Sequence, residues 1–514
     1  MQRSFGIAVL AAAQIAGAPA WGDRGHDDDT ADRAESTGID DLIDAAVRRS
    51  PDLIRIRAER RAARELAKAA AAPDQWRLAA SVDWGSGTAA RVPGQPVQQV
   101  GQTTIATQVG ATKTLPTGGE LQLTLAHTRL YQRYAVARDT QAAGGPTEDA
   151  IAETIGHVAV ARIGVVQPLL RGRGATVSRA DRHRAELAAE ASQIRARYDA
   201  AVLIHDLVDD YWEVAFADAV IDVRRDSIKA AREQLEAARD LWKAGVLPVS
   251  GLKAAEYAVL EREESLLRAQ MDLEERSLAA RQLAGLEVGP HDIALDPTDP
   301  LALDDTDWRV DDVLATAREH NPRIEGARLG IKLADIDVAL GEDARSPAVD
   351  FRASAAAIGG GQDFGGSIEG VGQPEAYELS AGIAVRYEIG GAASALGNAA
   401  REAHTAALTA VEVVERDVTV SVVRAVHRVR AARKRTEVAG KAIEVSVANL
   451  KAEQAAFKAG RTTSYIVLER QTEVDEARLL RARAIADYHQ AVARVELESG
   501  ELLARWGVVL RDKR

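Results

Sequence analysis

The chain has 514 residues, a net charge of -12, 46 % hydrophobic but only 4 % aromatic residues, and no cysteine. The acidic balance argues against a nucleic-acid partner. The missing cysteines exclude disulfides, thiolate metal sites, cysteine nucleophiles and a lipidated N-terminal cysteine, and the Ala-, Arg- and Glu-rich composition suits long helices packed close together.

The first 20 residues read as a cleavable export signal. Arg3 supplies the basic start, Phe5 to Gly17 a short apolar run, and Ala18-Pro19-Ala20 a small-residue cleavage site. Residues 21–38 are a polar segment, in which His26-Asp27-Asp28-Asp29 reads as a solvated tail rather than a metal site. A first repeat spans 39–290. It opens with the pair Asp40-Asp41, then Ser50-Pro51, in a helix expected over Ile39–Ala72. The period then changes to 2: Trp76, Leu78, Ala80, Val82 and Trp84 alternate with Arg77, Ala79, Ser81 and Asp83. Further strands are expected over Thr103–Lys113 and Glu120–Leu130, joined by Pro116-Thr117-Gly118-Gly119, and over Val158–Val166, leading to Gln167-Pro168-Leu169-Leu170. From about 175 to 242 the chain lacks glycine and proline and predicts one very long helix. Lys243-Ala244-Gly245 ends it, and a shorter helix follows over Pro248–Leu286.

A linker at 291–308, rich in Asp and Pro, leads to a second repeat at 309–509 that runs through the same order. Asp311-Asp312 and Asn321-Pro322 open it, in a helix expected over Val310–Leu340. Strands are expected between about 347 and 389. Val349, Phe351, Ala353 and Ala355 are apolar positions of one, and alternation from Tyr377 to Ile389 marks the other, with Leu379, Ile383 and Val385 on one face and Glu378, Arg386 and Glu388 on the other. A second very long helix, Ala392 to Phe457, meets Lys458-Ala459-Gly460, and a shorter helix follows over Thr463–Leu503. The chain closes on a polar tail from Arg511.

The long helices, about 65 residues each, would be roughly 100 Å long and carry too much charge to span a bilayer. A post-turn helix and an opening helix together match one long helix, so the pair stacked end to end would give a tube wall of even height. The strands, apolar on one face with aromatics near the ends, have the pattern of an outer-membrane barrel. Six strands, or four if the extra hairpin lies outside the wall, cannot close such a barrel, which needs at least eight. The barrel must be shared among chains, because an open edge in lipid leaves backbone groups unpaired.

In this order the motifs resemble the TolC family of outer-membrane factors. The resemblance covers about Ile39 to Val509. It is carried by Ser50-Pro51, Asn321-Pro322, Gln167-Pro168-Leu169-Leu170-Arg171-Gly172 and the two glycine turns, above all Phe457-Lys458-Ala459-Gly460-Arg461-Thr462-Thr463-Ser464-Tyr465-Ile466-Val467-Leu468-Glu469. It implies a trimeric outer-membrane β-barrel continuous with a long periplasmic α-helical barrel. It also implies an exit duct for efflux or type I secretion, working with a periplasmic adaptor protein and an inner-membrane transporter. Lys243, Ala244, Gly245, Val246 and Leu247, with Lys458, Ala459, Gly460, Arg461 and Thr462, then correspond to adaptor-docking tips, and Gly245 and Gly460 are expected at positive φ. Phe457, Tyr465 and Glu469 are the periplasmic gate candidates. Ile466 and Gly251 stand where some relatives carry acidic gate residues, and relatives of this length usually have four strands per chain.

The residues show no nucleophile, metal or acid–base constellation, so no enzyme activity and no cofactor are expected. A stand-alone porin has no use for a 100 Å tube. A soluble periplasmic coiled-coil scaffold has no use for strands with an apolar outer face. Efflux and protein secretion stay open at this point, because the pump sets the substrate.

Overall fold

A computed structural model describes residues 36–510, except 91–96, 138–148, 290–292, 305, 374–375 and 460. The expected export signal, residues 21–35 and Gly460 therefore lie outside the described residues. In chain order the elements are β1 (Ser36–Thr37), α1 (Ile39–Arg49), α2 (Pro51–Ala70), β2 (Arg77–Thr88), β3 (Val97–Thr114), β4 (Glu120–Ala137), β5 (Asp149–Pro168), α3 (Ala175–Ser178), α4 (Ala180–Lys243) and α5 (Val249–Ala284). They continue with β6 (Asp296–Pro297), α6 (Val310–His320), α7 (Pro322–Asp343), β7 (Ala348–Gly361), α8 (Phe364–Gly372), β8 (Ala376–Arg386), α9 (Ala392–Lys458), α10 (Ser464–Ser499) and α11 (Leu502–Arg505).

The long helices α4 and α9 run 64 and 67 residues, roughly 96 and 100 Å. Their seams follow helical spacing: Val418, Val422, Val426 and Val429 of α9 are buried against Ile324 and against Tyr488, Val492 and Val495 of α10. Leu203, Leu207 and Val214 of α4 do the same in a cluster with Leu53, Ile56 and Ala280.

Each opening helix, expected as a single rod, is two. Pro51 and Pro322 sit at the first position of α2 and α7, where a missing N–H costs nothing, but they bar a continuous helix. The breaks let other helices arrive. Gly285, after α5, has φ +68 and lies so close to Arg49 that a Cβ would stand 2.7 Å from its carbonyl carbon. Gly500, after α10, has φ +86, and a Cβ there would collide with the His320 carbonyl. Asn321 locks the second junction: its Nδ2 donates to the Glu498 carbonyl at 2.7 Å and its Oδ1 accepts from Arg323 N at 2.8 Å. The post-turn and opening helices thus meet end to end in both halves, beside α4 and α9.

The connecting segment is not loose. β6 pairs in parallel with β1, so the last residues of the expected polar tail are structured. Leu295 N donates to Ser277 Oγ at 3.0 Å, the Tyr211 hydroxyl donates to Asp299 at 2.5 Å, and Tyr488 reaches Asp304.

β2-β3-β4-β5-β7-β8 form a single antiparallel sheet of six strands. The extra hairpin β3–β4 is therefore part of the wall. The strands reach or outrun their expected ends, except that β2 begins at Arg77, one residue after Trp76, and β8 stops at Arg386. Tyr387, Glu388 and Ile389 lie beyond it, and Glu388 instead pairs with Arg171 at 3.4 Å. Register puts Leu78, Val82, Trp84, Val109, Leu123, Leu125, Ile163, Leu379, Ile383 and Val385 on one face, and all of them are exposed. Arg162, Glu378, Ser354 and Ser380 occupy the other face. There Arg162 and Glu378 pair at 2.8 Å, and the two serine hydroxyls are 2.8 Å apart. The short helix α8 was not expected; it packs on β7 and β5.

Candidate functional site

Both expected tips are turns between two helices. α4 ends at Lys243, and Gly245 takes φ +75. Its N–H donates to the Trp242 carbonyl at 2.9 Å, and the Val246 N–H donates back to the Leu241 carbonyl at 2.9 Å. These are the two bonds of a Schellman motif, which needs a left-handed residue after the helix and so selects glycine. The second tip repeats the outer bond: Arg461 N donates to the Ala456 carbonyl at 2.9 Å. Gly460 itself lies outside the described residues. Each long helix carries a lysine in its last turn, Lys243 and Lys458, on the negative end of the helix dipole.

The first tip presents Val246 and Val249 to solvent beside a half-exposed Trp242. No atom lies within 4 Å of where a Cβ at Gly245 would be, so this turn is unobstructed. Leu247 folds back on α5, where a Cβ at Gly251 would stand 2.9 Å from Leu247 Cδ1. Gly251 thus makes room for the turn rather than offering a charge.

The three gate candidates separate. Phe457 is 6 % exposed and packs with Leu450, Val467 and Val474, against Leu241 and Ala237 of α4. Its ring ties the second tip to the first, so it is a packing residue of the hairpin pair. Tyr465 and Glu469 are exposed and line one cleft between α5 and α10, opposite Tyr257 and Glu261. Glu473 and Glu476 extend this acidic wall, with Arg262 as its cation.

Sequence reading missed the polar link behind that cleft. Arg262 Nε of α5 donates to Ser227 Oγ of α4 at 3.0 Å, and Gln471 Nε2 donates to Asp475 Oδ1 at 3.1 Å on α10. Burial pushes the Asp475 carboxyl up, while hydrogen bonds from Ser227 and Gln471 pull it down. Three helices are thereby cross-linked by buried polar groups. Only Gln471 and Asp475 stand at helical spacing in the sequence; Arg262, Ser227 and Asp475 lie on three separate helices, so no spacing marks their link. Further along, Glu213 of α4 gathers Arg276 of α5 at 2.5 Å with Arg483 and Gln490 of α10 at 2.7 and 2.8 Å. Among the described residues no group of three or more His, Asp or Glu side chains could hold a metal ion.

Residues 313–501 match the family described as outer membrane efflux protein. No curated protein matches the chain. Solved structures similar to it include VceC, an outer membrane protein of Vibrio cholerae, at 14 % identity over 90 % of this chain and 96 % of that one, with a TM-score of 0.62. The CmeC outer membrane channel of Campylobacter jejuni shares 11 % identity over 90 % and 86 % of the two chains, with a TM-score of 0.64. The open MtrE outer membrane channel of Neisseria gonorrhoeae shares 15 % over 90 % and 89 %, with a TM-score of 0.63. At such identities the likeness establishes the fold, and the family match covers one stretch of it: the chain carries an outer membrane efflux protein domain on the fold of the TolC-family outer-membrane channels.

Proposed function

We propose that the chain is the outer-membrane exit duct of a tripartite efflux pump or a type I secretion system. It is a homotrimer built from two internal repeats, and it passively conducts what an inner-membrane transporter and a periplasmic adaptor protein deliver. The observation that carries this reading is a six-stranded sheet with two free edges, β2 and β8, and an exposed apolar face. In water such edges invite pairing with further strands; in lipid they cannot persist. Three copies supply eighteen strands, an even number within the range of known bacterial barrels. The same three copies supply twelve helices to a tube. In this reading the exposed apolar face of the sheet is the part that meets the bilayer.

The tips then stand at the far, periplasmic end of the tube, roughly 100 Å from the barrel. Val246, Val249 and Trp242 at the first tip give an adaptor an apolar foothold flanked by Lys243. Tyr465 and Glu469 border the channel entrance, and Phe457 holds the hairpins together behind it. The test is native mass measurement of the full-length protein in detergent. A single species of three protomers is expected, and a stable monomer would remove both barrel and duct.

A further inference from the structure

Helix α8 is not required by the wall, yet it is fastened to it. Its backbone touches strand backbone at glycines. A Cβ at Gly361 would stand 2.5 Å from Ser367 N, one at Gly370 would stand 2.9 Å from Gly359 Cα, and one at Gly359 would collide with the Ser367 carbonyl. Only glycine permits that approach. Ser367 is fully buried in the contact. Asp363 caps the helix by accepting from Gly366 N at 2.8 Å. Phe364 meets the His127 ring edge-on at 4.8 Å, and His127 Nε2 lies 3.1 Å from His157 Nδ1.

The side on which α8 lies is fixed by register. Gly359, Gly361, His127 and His157 point the same way as Leu125, Ile163 and Leu379, and away from the Arg162–Glu378 pair. α8 is on the apolar face. Its height follows from the strand. Gly359 is ten residues above Val349, where the apolar face begins on β7. That is about 33 Å along the strand, or about 25 Å of height at a tilt of about 40°. An outer-membrane barrel has an apolar band of about 25 Å, so α8 sits at its outer rim. Phe364 and Ile368, one turn apart, are 58 % and 48 % exposed, and Glu369 is the only charged residue of the helix.

We propose that α8 is an interfacial membrane helix, clamped to the outside of the barrel wall with Phe364 and Ile368 in the outer-leaflet lipid. The inference rests on the barrel reading above. Interfacial helices bury their apolar side in the boundary between headgroups and acyl chains. Here the glycine clamp makes such a helix a fixed depth mark on the barrel.

The native chain has no cysteine, so a single introduced one reports its own surroundings. Ile368→Cys, Phe364→Cys and Leu379→Cys, each carrying a nitroxide, are compared in full-length protein reconstituted in phosphatidylethanolamine–phosphatidylglycerol vesicles. Power saturation measures collision with oxygen, which concentrates in lipid, and with a water-soluble nickel chelate. Oxygen should dominate at all three positions, with a smaller excess at 364 and 368 than at mid-band 379. Nickel dominance at 364 and 368 with oxygen dominance at 379 overturns the proposal and leaves the barrel standing. Nickel dominance at all three overturns the barrel reading and the proposal together.

Discussion

In the helical wall Leu207, Val214, Val422 and Val426 are fully buried, whereas in the sheet Leu78, Val82, Leu379 and Ile383 are 67–78 % exposed. The residue types are the same and their surroundings are opposite. The helices bury apolar seams against one another, as a chain in water must. The sheet buries almost nothing on its apolar face and keeps its ion pair on the other. On the proposed duct reading, the contrast separates what this chain supplies to itself from what a bilayer and further copies would supply.

A charge placed in each region tests that contrast. Val426→Asp buries an unpaired carboxylate in the α9 seam and should cost more than about 4 kcal/mol. It should abolish the cooperative helical melt in detergent and in any buffer alike. Leu379→Arg, at mid-band, should leave the helical melt unchanged and instead weaken membrane assembly, by about 2–4 kcal/mol. Arg386→Leu, on the opposite face, should carry no such penalty. Equal tolerance of Leu379→Arg and Arg386→Leu in a membrane-insertion assay would show that the faces are assigned the wrong way round.

The helical wall should also respond to pH. Burial pushes the Glu496 carboxyl up to about 7, from 4.5, even though Arg505 pairs with it. The folded protein therefore binds this proton more tightly than the unfolded chain. The stability this group contributes is fully present below pH 4.5 and is lost as pH rises toward 7. Keeping Glu496 ionised above that range costs about 3 kcal/mol. Asp209 and Asp210, each raised to about 6 by burial, steepen the fall. Melting curves between pH 4.5 and 8 should show this loss, and Glu496→Gln should flatten the upper part of it. An unchanged slope in that variant would take Glu496 out of the account.

The smallest effect on stability should come from the tip. Gly245 at φ +75 makes a β-branched residue strained by about 1 kcal/mol or more, with no steric clash to add. Gly245→Val should thus leave assembly intact and reshape only the turn. Cross-linking to the adaptor and transport in cells carrying the cognate pump should both fall. If both stay normal, the glycine is only a helix cap.

Much of this architecture was legible because it rests on local periodicity. The alternation at 76–84 and 377–385 and the Gly- and Pro-free runs that became α4 and α9 are written in single stretches of chain. The helix breaks were legible too, since Pro51 and Pro322 announce them, although reading each opening segment as one rod passed over that signal. α8 was not legible: Gly365, Gly366, Gly370 and Gly372 make it a poor helix by propensity, and it is held by contact with strand glycines. At the tips, the turn itself was readable from Lys-Ala-Gly. The burial of Phe457 was not, because the pocket for its ring is completed by Leu241 and Ala237, more than two hundred residues earlier. The buried pair Ser227–Asp475 has the same origin.

The pairing of β5 with β7 joins Pro168 to Asp350 across the whole first hairpin, α4 and α5, and the opening helices α6 and α7. Such pairings make folding slow, because a large loop must close before any contact rewards it. As the chain emerges from its amino end, strands β2 to β5 can form a four-stranded sheet early, and its outer edge on β5 must then wait for β7 and β8. During that interval the edge and the apolar face are both open to wrong partners, including the same strands of other chains. Biogenesis of this molecule is therefore governed by its C-terminal half. Truncation before residue 386 should yield aggregates in place of a smaller channel, and agents that shield strand edges should matter most between the appearance of β5 and that of β8.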